Sequence, residues 1–314
     1  MRSLVVLTLA LVAAGAAAGH AQNQLPDWAY NAVNTPAGAK PAPDDGSPKK
    51  LPGSSGAFTL QQIRDGFGPA DWYPDDHPKM PPVVATGRKP DIRACSLCHY
   101  PNGKGRPENA GVSGLPRAYF LQTMADFRDG NRKSAEPRKA NTNIMITIAK
   151  AMTDEEISAA ADYFGSMKWT PWIKVVEADT VPKTRVQAGL FVKLEGNETE
   201  PIGNRIIEMP EDTERSEVFR DPRSGFVAYV PRGSVAKGKA LAATCGVCHG
   251  ADLKGLGPVP GLAGRSPSYV VRQMVDMQQG ARKGVWTELM MPVVKNLTNN
   301  DLVAIAAYTA SLVP

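Results

Sequence analysis

The stretch Cys95-Ser96-Leu97-Cys98-His99 recurs 150 residues later as Cys245-Gly246-Val247-Cys248-His249. The same spacing carries Gly105 to Gly255, Gly114 to Gly264, Tyr119 to Tyr269, Met124 to Met274, Asp126 to Asp276, Gly130 to Gly280 and Arg132 to Arg282. Past that point the first copy holds five extra residues, and the spacing falls to 145. It then pairs Met145 with Met290, Ile157 with Leu302, Tyr163 with Tyr308 and Ser166 with Ser311. A register kept over so many positions marks an internal duplication, so the chain holds two copies of one domain.

The chemistry of the repeated motif follows from its spacing. Two thiols three positions apart lie on one face of a helical turn. Both can form thioethers with the two vinyl groups of one porphyrin, and the histidine that follows is then held beneath the iron as its proximal ligand. C-x-x-C-H is the attachment signature of c-type haem. The chain has four cysteines in all, and the two motifs use every one. Disulfides, the usual reading of cysteines in an exported chain, are thereby excluded, as is a thiolate axial ligand. Cys95, Cys98, Cys245 and Cys248 are the expected attachment points of two covalently bound haem c groups, and His99 and His249 the first iron ligands.

Each copy reads as a short helix through the motif, a Gly/Pro-rich loop, a middle helix, a methionine loop and a terminal helix. The middle helices are expected over Ala118–Asp129 and Ser268–Gln279. Phe120, Met124 and Phe127 fall there at helical spacing, and Gly130 stands as a stop. Thr153 and Thr298 are placed as N-caps of the terminal helices, with acidic residues in the first turn of each. Ile157, Ala160, Ala161 and Phe164 would face the core.

Sixth ligands emerge by elimination. Of four histidines, His20 lies in a leader and two belong to the haem motifs, which leaves His77. At most one haem can be bis-histidine. Methionine is the usual alternative, and Met145 and Met290 hold equivalent places before the terminal helices. The alternative for both is core packing. Met291, followed by Pro292, stays a second choice in the second copy. His77, in the polar run Asp75-Asp76-His77-Pro78, is read as exposed. Arg132 and Arg282 share one repeat position and are candidates to contact haem propionates, because a guanidinium pairs bidentately with a carboxylate. A solvated helix end is the alternative. Trp286, Tyr119 and Tyr269 read as packing residues.

These features resemble class I cytochrome c domains, and the chain as a whole is similar to the tandem dihaem cytochromes c of proteobacteria. The resemblance rests on the two C-x-x-C-H runs, the Gly-x-Arg ends at Gly130–Arg132 and Gly280–Arg282, the methionine segments and the capped terminal helices. It covers about 85–168 and 235–314, roughly half of the chain. It implies His/Met ligation, a helical fold around each haem, and electron transfer between redox partners, such as a dehydrogenase and a terminal oxidase. A dihaem peroxidase-like enzyme and an electron-transfer subunit of a periplasmic dehydrogenase are the alternatives.

Working outward to the ends, Met1-Arg2 and the small, apolar run to Gly19 read as a signal peptide cut after Ala21. The run is too short and alanine-rich for a membrane anchor. Export to the periplasm follows as an expectation, with no transmembrane anchor after removal of the leader. The formal charge of +5 is mild and its lysines and arginines are scattered, which argues against nucleic acid. The expected organisation is a leader over 1–21, an irregular extension over 22–84, a cytochrome c domain over 85–169, a connector over 170–234 and a second cytochrome c domain over 235–314. Trp28, Tyr30, Trp72 and Tyr73 are possible anchors of the extension. The connector is too long for a plain linker. Its runs Phe191–Leu194, Arg205–Met209 and Phe226–Val230 look strand-like and are separated by the acidic stretch Glu208–Glu217. The fold class expected is therefore mainly α, with a small sheet in the connector.

Overall fold

The computed structural model describes residues 25–34 and 44–314. The leader read over 1–21 lies outside the described residues. In domain 1 the helices are α1 (Cys95–His99), α2 (Arg117–Arg128), α3 (Ala140–Ala151) and α4 (Asp154–Ser166). The connector supplies β1 (Ile173–Ala178), β2 (Thr180–Pro182), β3 (Thr184–Gln187), β4 (Leu190–Lys193), β5 (Thr199–Pro201), β6 (Ile207–Pro210) and β7 (Phe226–Pro231). Domain 2 follows with α5 (Ser234–Leu241), α6 (Gly246–His249), α7 (Pro267–Gln278), α8 (Thr287–Val294) and α9 (Asn299–Ser311).

The duplication is visible in the helix boundaries. α2 and α7 begin and end 150 residues apart, and α4 and α9 begin and end 145 apart. Thr153 and Thr298 cap the last pair through reciprocal bonds with Glu156 and Asp301, which satisfy amide groups that the first turn leaves unpaired. Phe120, Met124, Phe127, Ile157, Ala160, Ala161 and Phe164 form the core of domain 1.

One expectation needs correction. Met145 and Met290 are not in loops: α3 and α8 carry them. The segment around Met145, with Ile144, Ile148 and Ala149, places apolar side chains at spacings of three and four, which one helical face can bury. In the second copy the helix forms despite the internal Pro292. Pro292 is the sixth of its eight residues, and lacking an amide hydrogen it removes the one bond that position would donate to the Glu288 carbonyl.

The connector is more strand-rich than expected. β1 and β7 pair in parallel, β7 and β6 antiparallel, giving the order β1-β7-β6. A parallel pair needs a long crossover, and the antiparallel pairs β2–β5 and β3–β4 lie within it. Ile173, Val175, Ala228 and Val230 join the core of domain 2. On the other side, Arg220 donates to the Leu97 carbonyl, Asn102 to Pro222 O at 2.7 Å, and the Trp172 indole to Gly105 O at 3.2 Å, so the connector also covers the haem-motif loop of domain 1. Glu208 is no surface separator. It is buried in β6, where its carboxylate accepts from Ser266 Oγ at 2.8 Å and Ser268 N at 3.2 Å at the start of α7. A helix N-terminus favours such a negative group.

The extension is anchored as its aromatics suggested. Tyr30 is buried in domain 2 and donates to Asp276 at 2.9 Å. Trp28 packs at the edge of the same core. Trp72 and Tyr73 form a separate cluster with Val218 and Phe219 of the connector.

The domains meet through a local two-fold exchange. Lys133 N donates to Ala281 O and Lys283 N to Asn131 O, each at 2.8 Å and each the repeat image of the other. An isologous contact of this kind is what two copies of one fold make when they pair face to face.

Gly238 decides how domain 2 closes. A Cβ there would stand 1.9 Å from the Ala304 carbonyl oxygen and 2.7 Å from Tyr308 Cβ, because α5 and α9 cross in direct backbone contact. Gly238→Ala is expected to destabilise the holoprotein by about 1–3 kcal/mol or more through overpacking, against the ~1 kcal/mol that the better helix former would otherwise contribute. Thermal unfolding followed by circular dichroism measures it. A raised Tm would show that the crossing is looser than described.

Candidate haem sites

In domain 1 the motif helix, the middle helix and the methionine helix enclose one cavity. Cys95, Cys98 and His99 line it from α1, Phe120, Met124 and Phe127 from α2, and Ile144, Met145 and Ile148 from α3. The lining is mainly apolar, as packing on a flat ring requires, and the thiols, imidazole and thioether are gathered on the same space. His99 and Met145, separated by 46 positions in sequence, share it.

The two imidazoles are held identically. His99 Nδ1 lies 2.8 Å from Ala110 O and His249 Nδ1 lies 2.7 Å from Pro260 O. Ala110 and Pro260 are themselves repeat partners, 150 residues apart. A carbonyl can only accept, so each Nδ1 carries the proton and each Nε2 keeps its lone pair. Burial pushes both histidines below the usual imidazole pKa range, which favours the neutral ligand form. His249 Nε2 is buried and has no hydrogen-bond partner among the described residues. An orphaned lone pair costs free energy unless something occupies it, and a metal ion is the natural occupant of an imidazole fixed in this way.

Domain 2 shows the same fit from its surface. Leu289 is 76% exposed and Val293 42% exposed. Their repeat partners in domain 1 are Ile144 and Ile148, both cavity-lining residues. Large side chains at those positions need an apolar face, and a porphyrin would supply it. Met290 and Met291 both pack against the domain 2 core, so packing does not rank one above the other.

His77 is not exposed, contrary to expectation. Its side chain is 4% exposed, held by Asp71 at 3.2 Å and the Pro78 carbonyl at 2.9 Å, with Tyr163 against its ring. Its side-chain partner is Asp71, six residues earlier, and not Asp75 or Asp76 of the run that suggested solvent. It does not line the domain 1 cavity.

Arg132 and Arg282 sit at the domain interface, both buried, and not at a solvated helix end. Arg132 donates to the Tyr269 hydroxyl at 2.9 Å and to Gln273 at 2.8 Å. Arg282 donates to the Tyr119 hydroxyl and to Gln273, each at 3.0 Å. Tyr119 also faces the Trp286 ring at 6.1 Å. Tyr119 and Tyr269 thus act across the interface as hydrogen-bond partners, beyond the packing role read from sequence. Arg132 additionally lines the domain 1 cavity.

The family model for cytochrome c matches residues 84–168 and 235–312, more than half of the chain. The chain belongs to the cytochrome c family. Two matched segments, each with its own C-x-x-C-H motif, make it a dihaem cytochrome carrying two covalently bound haem c groups with their iron. Cytochrome c-554(548) of Halomonas halodenitrificans is 39% identical over 80 residues, which is 25% of this chain and 96% of that protein. Cytochrome c4 of Pseudomonas aeruginosa is 46% identical over 81 residues, 25% of this chain and 38% of that one. A longer match, 24% identical over 230 residues, joins 72% of this cytochrome to 82% of the thiosulfate dehydrogenase electron acceptor of Stutzerimonas stutzeri. No helix among the described residues is long and apolar enough to cross a membrane.

Sequence reasoning missed the groups that orient the two motif imidazoles. Ala110 and Pro260 act through their backbone carbonyls, which no side-chain pattern reveals. Lys139, Arg272, Gln273 and Asp276 also line the domain 1 cavity. Asp276 carried a signal as a repeat-invariant acid, but the other three have no matching residue type in the other copy.

Proposed function

We propose that this cytochrome is a periplasmic carrier of single electrons, with His99 and Met145 as the axial pair in domain 1 and His249 and Met290 in domain 2. Cys95 and Cys98 attach one haem, Cys245 and Cys248 the other, and Arg132 and Arg282 reach their propionates. The observation that carries the reading is the gathering of Met145, His99 and both thiols on one cavity. So placed, each haem supplies a one-electron ferric/ferrous couple. The chain's residues set how readily that couple is reduced. A soft thioether from methionine raises the potential. The Ala110 and Pro260 carbonyls increase the donor strength of the imidazoles and fix their orientation. Arg282 Nε, buried without a partner among the described residues, suits an acidic group of the cofactor.

The redox partner with most support is a dehydrogenase, as donor, because the relative that aligns over most of this chain is named as the electron acceptor of one. A terminal oxidase is the matching class of acceptor. Exposed residues of the connector are candidates to meet such partners.

An optical redox titration of the purified holoprotein tests the ligand assignment. Both haems are expected to be low-spin, to show the weak near-red band of methionine–ferric ligation, and to titrate as separate one-electron steps. A high-spin ferric haem or one lacking that band would overturn the assignment for its domain, and an enzymatic, peroxidase-like site would replace the carrier reading there.

A further inference from the structure

One wall of the domain 1 cavity belongs to domain 2. Tyr269, Arg272, Gln273 and Asp276 line it from α7, at spacings of three and four that put them on a single helical face. Lys139, just ahead of α3, faces the same space from domain 1. Arg272 and Lys139 are both buried. Lys139 Nζ donates to the Glu108 carbonyl at 2.9 Å, and Arg272 donates to the carbonyls of Ala29, at 2.9 Å, and Pro107. Neither forms an ion pair with a carboxylate among the described residues. Of the Glu108 carboxylate, Oε1 is taken by Arg106 while Oε2 is buried without a hydrogen-bond partner among the described residues, and Asp276 is engaged by the Tyr30 hydroxyl and Ala135 N. Glu108 and Asp276 act on both cations at longer range, and Glu208 on Arg272, but a buried cation with no carboxylate in contact is costly to keep. Burial pulls Lys139 down to about 7 and lowers Arg272. A haem enters this cavity with two carboxylates of its own.

We infer that Arg272 and Lys139 bind the propionate edge of the domain 1 haem, so that this site is completed by the other domain and its haem gains affinity for an electron. The direction is electrostatic. A fixed positive charge in a low-dielectric site favours the reduced haem, which carries one positive charge fewer than the oxidised one. The device has no counterpart in the repeat. Gln122 stands where symmetry would place a second Arg272, and Lys139 falls in the stretch where the first copy is longer. It therefore distinguishes two haems whose ligand sets are equivalent.

The test is a spectroelectrochemical titration of the dihaem holoprotein and its Arg272→Gln and Lys139→Met variants. All are made with Cys98→Ser, which leaves one vinyl group of the domain 1 haem conjugated and moves its α band to longer wavelength. Each charge removal is expected to lower the reduced-to-oxidised ratio of the marked haem roughly tenfold at fixed potential, about 59 mV for one electron, with the unmarked haem nearly unchanged. Arg272→Lys keeps the charge and is expected to restore most of the shift. Equal shifts at both haems, no shift at the marked haem, or the same shift in Arg272→Lys as in Arg272→Gln would overturn the inference. If Arg272→Gln does not mature, Lys139→Met reads the same effect from the domain 1 side.

Discussion

A chain with both Cys95 and Cys98 replaced by alanine is expected to retain one covalent haem in place of two and to lose the cooperative folding of domain 1. The residues around that cavity explain the size of the effect. Phe120, Met124, Phe127, Met145 and Ile148 all line it, and these are also large side chains of the small domain 1 core or of its margin. Each apolar side chain of this size contributes about 1.5–3 kcal/mol when fully buried, and a domain has a net stability of only about 5–15 kcal/mol. Leaving several of them facing water removes a margin of that order. Domain 2 keeps Cys245, Cys248 and His249, and although Tyr269, Arg272, Gln273 and Asp276 of α7 line the lost site, its apolar core is made by other residues of α7, by α9 and by the connector sheet. It should stay folded with its own haem. Intact mass and the haem content per chain measure the first part, and two-step thermal unfolding the second. A double variant with two covalent haems, or with the Tm of the parent, would contradict the assignment of this motif.

The second large effect is expected from Met145→Ala. The helix α3 should persist, since alanine is the better helix former, so the change acts on the cavity and not on the backbone. Losing the thioether is expected to convert the domain 1 haem to a high-spin or water-ligated form, abolish its near-red band and lower its potential by a substantial part of the roughly 0.8 V range that axial ligands span. In domain 2 the matching comparison is Met290→Ala against Met291→Ala. The repeat register places the ligand at Met290, so only the first should remove the band. If Met291→Ala removes it instead, the helix is turned by about one residue relative to its partner. Magnetic circular dichroism of the ferric protein separates these outcomes for each haem.

Much of this molecule is legible in its sequence because haem attachment is a local chemistry. Two thiols and an imidazole in five residues suffice to mark a site, and Cys95–His99 and Gly246–His249 do form the short helices that the spacing demands. The capped starts of α4 and α9 are equally local, since Thr153 and Thr298 reach amides only three residues away. The methionine segments were misread as loops for the same reason in reverse. Their helices lack a side-chain N-cap, and Lys139 and Trp286 stand at the cap positions, so no local start signal announces them. They form because their apolar residues have a cavity and a core to pack against.

The sequence by itself determined the internal duplication, the two C-x-x-C-H motifs and the register that pairs Met145 with Met290, because covalent spacing and an internal repeat are properties of the chain. Only the tertiary structure decided what those motifs face. It placed Tyr30 in domain 2, 246 positions from its partner Asp276, turned Arg132 and Arg282 toward the tyrosines of the opposite domain, buried His77 against Asp71, and brought Arg272 to a cavity whose motif lies more than 170 residues earlier. Those contacts join residues with no spacing rule between them. They exist because two repeated faces pair about a local two-fold axis, and because buried cations and hydroxyls must find partners wherever the chain places them.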